Sequence, residues 1–112
     1  MSITDRKKDI IIRGGENVSA AEVEELLVRM PGVAEVAVVA APDARLGEHG
    51  CAFFRMLAGH AAPSLAELRA HLDASGLARQ KWPEDSRELT EFPRTPSGKV
   101  QKFRLRAELR GE

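Results

Sequence analysis

At 112 residues the chain is long enough for one small domain with a single core, and too short for several domains. Its 17 basic and 17 acidic side chains cancel, so no global field draws it to nucleic acid or to an anionic membrane. A lone cysteine excludes an internal disulfide, and the longest apolar run, residues 36–41, is far too short to span a bilayer.

In chain order, Asp5-Arg6-Lys7-Lys8-Asp9 reads as an exposed connector entering a strand at Ile10-Ile11-Ile12. Gly14-Gly15 supplies the positive φ of a tight hairpin turn. Ser19 and Glu22 have capping-box spacing, so a helix is predicted from Ala20, with Val23, Leu26, Leu27 and Met30 on one apolar face and Pro31-Gly32 after it. Residues 33–41 are apolar on both alternating faces except at Glu35, which predicts an interior strand covered on both sides. Pro42-Asp43 is expected to stop it, and a turn at Gly47-Glu48 leads to a partner strand over residues 50–57.

Ser64 and Glu67 form a second capping box before a helix carrying Leu65, Leu68 and Leu72, with Gly76 placed for a left-handed cap. Beyond Trp82-Pro83 come a short strand near residues 87–89, a loop over 93–99 and a basic helix over 102–110. The pattern is α+β: a small mixed β-sheet flanked by helices, with an N-terminal β-hairpin. It divides into a hinge or linker segment, 1–9, and one domain, 10–112.

Chemistry concentrates in Pro93-Arg94-Thr95-Pro96-Ser97-Gly98-Lys99-Val100-Gln101-Lys102. Two prolines fix φ, and Gly98 lets the chain turn just before Lys99, so the loop reads as stiff upstream and flexible where it delivers an ammonium. It is not a phosphate-cradling P-loop, because Pro93 stands at the first glycine position and Val100 where a hydroxyl would hold magnesium. From these residues alone, a delivered cation and a solvated basic loop both stay open. Arg94, Lys102 and Arg104 read as surface residues. Cys51, inside an apolar run, reads as a small core residue, compatible with a reducing cytoplasm. His49, His60 and His71 have no metal-ligand spacing, and no metal site is expected.

The segment Asp5 to Glu24 and the Lys99 loop resemble the eighth and tenth core motifs of the acyl-adenylate-forming (AMP-binding) enzymes, which include acyl-CoA synthetases, peptide-synthetase adenylation domains and beetle luciferases. Pro42-Asp43, Leu46-Gly47-Glu48 and Gln80-Lys81-Trp82-Pro83 follow in the order of that family's small C-terminal lobe. The Gly-Gly-Glu-Asn-Val-Ser and Arg-Gln-Lys-Trp-Pro wording is most similar to fatty or other carboxylic acid CoA ligases. His49 and Gly50 depart from the residues common in relatives, which weakens the strand expected there.

The resemblance implies a set of roles. Lys99 matches the catalytic lysine of adenylation, Lys8 the hinge, and Arg6 an arginine on the nucleotide. Gly14, Gly15, Glu16 and Asn17 match a loop along the CoA passage. ATP, Mg2+ and coenzyme A would serve the complete enzyme, with none held tightly by this domain. The implied partner is a large N-terminal adenylation lobe, and the chain is expected to be an excised or separately encoded cytoplasmic lobe, inert alone. The competing expectation is a free-standing regulatory or binding module of the same fold. A nucleic-acid-binding domain lacks both basic excess and aromatic platforms.

Overall fold

Residues 10–109 are described by a computed structural model, so the expectations on Arg6 and Lys8 lie outside the described residues. Strands β1 (Ile10–Arg13) and β2 (Glu16–Ser19) form an antiparallel hairpin around Gly14-Gly15. Helix α1 (Ala20–Leu27) begins where predicted, the Ser19 hydroxyl accepting from the Glu22 amide. Only that half of the expected capping box forms, because the Glu22 carboxylate turns outward to Lys81.

The long hairpin of β3 (Val33–Asp43) and β4 (Gly47–Met56) is the backbone of the sheet. Helix α2 (Leu65–Ala74) carries the full Ser64–Glu67 capping box. It closes through Gly76, with the Leu77 amide donating to Leu72 O and the Gly76 amide to Asp73 O, the paired bonds of a Schellman motif. A short turn, Arg79–Lys81, leads to β5 (Asp85–Glu88), and α3 (Lys102–Leu109) ends the described chain.

The sheet order is β2-β1-β4-β3, with β5 parallel to β4 over Cys51–Phe54 and every other pair antiparallel. Adjacent residues of β3 and β4 therefore feed two different cores. Val38 and Phe54 join Val23, Leu27, Leu68 and Leu72 beneath α1 and α2. Ala37, Val39, Cys51 and Phe53 join Phe92 and Leu105 beneath α3. Phe53 and Phe54 are both fully buried, and truncating either to alanine should cost about 3–5 kcal/mol.

Three expectations are corrected. β3 is covered on both faces as expected, yet it is the edge strand of the sheet. The apolar run reported face coverage, which is independent of position in the sheet. Glu24 of α1 blunts that edge by accepting from the Val38 amide at 2.8 Å. β3 also continues through Pro42 to Asp43, since an edge strand tolerates a residue without an N–H. Finally, β4 begins at Gly47 and includes His49 and Gly50. Gly50 is buried against Pro83, whose Cα would lie 3.4 Å from an added Cβ, an ordinary van der Waals contact.

Candidate functional site

The Lys99 loop is a closed hairpin, more rigid than its sequence suggests. Phe92, buried in the α3 core, anchors its entry, and Leu105 of α3 anchors its exit. Arg94 and Val100 form a β-bridge, and the Gln101 amide donates to Pro93 O at 2.8 Å. The Thr95 amide donates to Lys99 O and the Gly98 amide to Thr95 O, each at 2.8 Å. Gly98 has φ +92°. That is a three-residue loop in which a turn is followed by a left-handed residue, a conformation glycine adopts without penalty. The Thr95 hydroxyl accepts from the Lys99 amide at 3.1 Å and lies 2.8 Å from the Ser97 hydroxyl. Lys99 is exposed at the head of this hairpin.

Arg94 is exposed and Lys102 heads the last helix, as expected, and both also make structural ties. Arg94 donates from one guanidinium nitrogen to Gly98 O at 3.1 Å and from another to Glu35 on β3. Lys102 pairs with Glu24, tying the start of α3 to α1. Between α1, the start of β3 and the start of α3 runs an open groove of about 810 Å³ whose wall includes Lys99, Val28 and Phe103. The available signal was Glu35, the single charge in the otherwise apolar run of residues 33–41.

At the other end of β3 stands the Gly14-Gly15 hairpin, with Gly14, Gly15, Glu16 and Asn17 all exposed. Both glycines have positive φ, +58° and +84°, as a two-residue turn of this hand requires. The Gly14 amide donates to Leu46 O at 2.9 Å, and the Ile12 amide to the Glu48 carboxylate at 2.8 Å. Asp43 shapes the β3–β4 turn by accepting from the Arg45 and Leu46 amides at 2.8 and 3.0 Å. His49 Nδ1 donates to the same carboxylate at 2.8 Å. The Leu46 amide, then His49, holds the Asp43 carboxyl well below its usual 3.8, at about 2. The motifs Pro42-Asp43 and Leu46-Gly47-Glu48 thus form the seat of the glycine hairpin.

Asp43, His49 and Glu84 bring three ligand atoms within 4.8 Å of one another, a grouping that spacing along the chain could not reveal. Glu84 is already clamped by Arg13, whose Nε donates at 2.8 Å, and Arg45 lies 3.6 Å away. A guanidinium supplies the positive charge there, so the cluster acts as a fastening between β1, the β3–β4 turn and the segment before β5. His71 Nε2 donates to Leu26 O at 2.8 Å, joining α2 to α1. Cys51 is fully buried, and burial pushes its thiol up to about 12, which suits a core residue and not a nucleophile.

A two-core α+β lobe with a lysine hairpin at one end and a glycine hairpin at the other defines a class, and comparison with known proteins agrees. The family model described as the AMP-binding enzyme C-terminal domain matches residues 22–99, and the chain belongs to that family. It is 46% identical over 109 residues to a medium-chain fatty-acid–CoA ligase of Escherichia coli (strain K12), covering 97% of this chain and 19% of that protein. It is 48% identical over 110 residues to a salicylyl-CoA synthase / salicylate adenylyltransferase of Streptomyces sp, covering 98% and 20%. The crystal structure of apo MatB from Rhodopseudomonas palustris superposes with a TM-score of 0.87 at 37% identity, over 95% of this chain and 21% of that one. The chain therefore spans about a fifth of the length of the relatives it matches. Among the described residues no helix is long and apolar enough to cross a membrane.

Proposed function

We propose that this chain is the mobile C-terminal lobe of an ATP-dependent carboxylic acid:CoA ligase, with a fatty acid as the acid. The observation that carries the reading is the closed hairpin holding Lys99 at one end of β3 while the Gly14-Gly15 turn is held at the other. In this reading the large lobe binds ATP and acid, and the first hairpin brings the Lys99 ammonium to the acid carboxylate and the α-phosphate. Negative charge grows on the phosphoryl oxygens as pyrophosphate leaves, so a positioned cation acts electrostatically and needs no proton transfer. The lobe then turns about Lys8, the glycine hairpin faces the site, and its side-chain-free backbone borders the thiol passage to the acyl adenylate. Arg6 would contact the nucleotide, and Glu16 and Asn17 would flank the CoA.

Magnesium would enter with the ATP phosphates. The Asp43, His49 and Glu84 donors do not fit it, since Arg13 and Arg45 already balance them and they lie at the glycine end. A purely regulatory module would need neither the lysine hairpin nor the seated glycine turn.

The test separates the two half-reactions in the ligase that carries this lobe. Lys99→Ala should slow acid-dependent ATP–pyrophosphate exchange on the order of 10² to 10³ fold, the scale of one preorganised electrostatic contact. Thioester formation from supplied acyl adenylate should persist. Lys8→Pro, which freezes φ at the pivot, should do the reverse. Equal loss of both steps in each variant would refute the alternating-lobe reading.

A further inference from the structure

We propose that Glu35 is a positioning residue for Lys99, acting through Arg94 to fix the lysine hairpin to the sheet. The inference rests on the adenylation role given above to Lys99, and it concerns residues that the resemblance leaves without any role.

A lysine stem has many rotamers, so the part of its position that a protein can preset is the backbone from which it hangs. Here that backbone follows Gly98, the residue with the widest conformational freedom in the loop. Arg94 holds it. Its guanidinium forks, one nitrogen donating to Gly98 O at 3.1 Å and another to Glu35 Oε1, while its own peptide bridges Val100. A planar fork can serve two acceptors at fixed angles; an ammonium cannot hold both in that geometry.

Glu35 is itself aimed. It sits just after the register shift in β3 between Val33 and Glu35, where an irregular ladder redirects side chains. Arg55 on the neighbouring strand donates to the same oxygen at 2.7 Å. The Arg94 hydrogen bond is the main influence holding the Glu35 carboxyl below its ordinary value, so it stays ionised. Two guanidinium groups thus converge on one carboxylate. Without its charge, Arg94 would be repelled by Arg55 and released from the sheet, with Gly98 no longer steadied.

The experiment has two arms. In the 112-residue chain, Glu35→Gln and Arg94→Lys should lower the backbone NMR order parameters of Gly98 and Lys99 from about 0.85 toward 0.6, with those of Val23 and Leu68 unchanged. In the ligase carrying this lobe, both variants should lower the kcat of adenylation by about 10- to 100-fold at unchanged KM for the acid, and spare thioester formation from supplied acyl adenylate. Arg29→Gln, which removes only the exposed Arg29–Glu25 pair on α1 and leaves the Arg94 fork intact, should preserve adenylation. Unchanged order parameters at Gly98 and Lys99, equal loss of both half-reactions, or equal damage from Arg29→Gln would each overturn the positioning role. A wild-type ligase unable to adenylate any acid, with the loop still loosened in Glu35→Gln, would remove the ligase reading and leave the fork standing.

Discussion

Glu35 and Asp43 stand on one strand, eight residues apart, which at about 3.3 Å per residue puts roughly 26 Å between them. Each carboxylate organises a different hairpin. Glu35 receives the Arg94 that grips Gly98, and Asp43 receives the amides that shape the seat of Gly14. A single rigid strand thus separates the lysine from the glycine turn, the geometry required if the two visit one site by rotation of the lobe and not by local rearrangement.

The glycine turn makes a graded prediction. At positive φ an alanine costs about 1–2 kcal/mol wherever it stands. A Cβ on Gly14 would also meet Leu46 Cδ2 at 3.2 Å, whereas one on Gly15 meets nothing within 4 Å. Gly14→Ala should therefore destabilise the chain more than Gly15→Ala, because Leu46 must shift and its carbonyl accepts from the Gly14 amide. Urea midpoints of the two variants check the order, and equal midpoints would show that the seat at Leu46 gives way freely.

Asp43 predicts an acid limb in the stability curve. Its carboxyl is lowered from 3.8 to about 2, so the folded chain binds that proton less readily than the unfolded one. Its contribution is complete above about pH 4 and is lost as pH falls through about 2. Asp43→Asn should flatten this part of the curve, measured by denaturant unfolding between about pH 5 and 2. A slope identical to wild type would mean that other carboxylates carry the acid sensitivity.

Cys51 should behave as a reporter of unfolding. Its thiol is fully buried and pushed up to about 12, first by burial and then by the nearby Asp85. A maleimide added at about pH 8 should leave the native chain unlabelled and react once denaturant opens the core, following the loss of helical signal. Rapid labelling of the folded chain would contradict the packing of β4 against α3.

Much of the fold was legible because its cues are local. Ser64 with Glu67, Gly14 with Gly15 and the 3.6-residue period of Val23 and Leu27 act within a turn or two of chain, and the structure places each as expected. The β4–β5 pairing was less legible: β5 runs parallel to β4 from residues more than thirty positions away, and Asp85 to Glu88 have no apolar alternation to announce it. Pro42 misled for the opposite reason. Its missing N–H matters only where a neighbouring strand needs it, and whether β3 has an outer neighbour is a property of the whole sheet.

The candidate site divides along the same line. The sequence alone determined that Lys99 follows a glycine on a proline-flanked loop and that paired glycines make a tight turn, and its ordered motifs resemble those of an adenylate-forming lobe. The first two follow from residue order and φ preferences, which need no knowledge of distant contacts. Only the tertiary structure decided that Arg94 reaches Glu35, that Lys102 reaches Glu24, and that Asp43, His49, Glu84 and Arg13 converge beside the glycine turn. Those bonds join residues from 6 to 78 positions apart, and they exist because packing two cores onto opposite faces of one sheet brings the start of β3 to the Lys99 loop and its end to the Gly14-Gly15 hairpin.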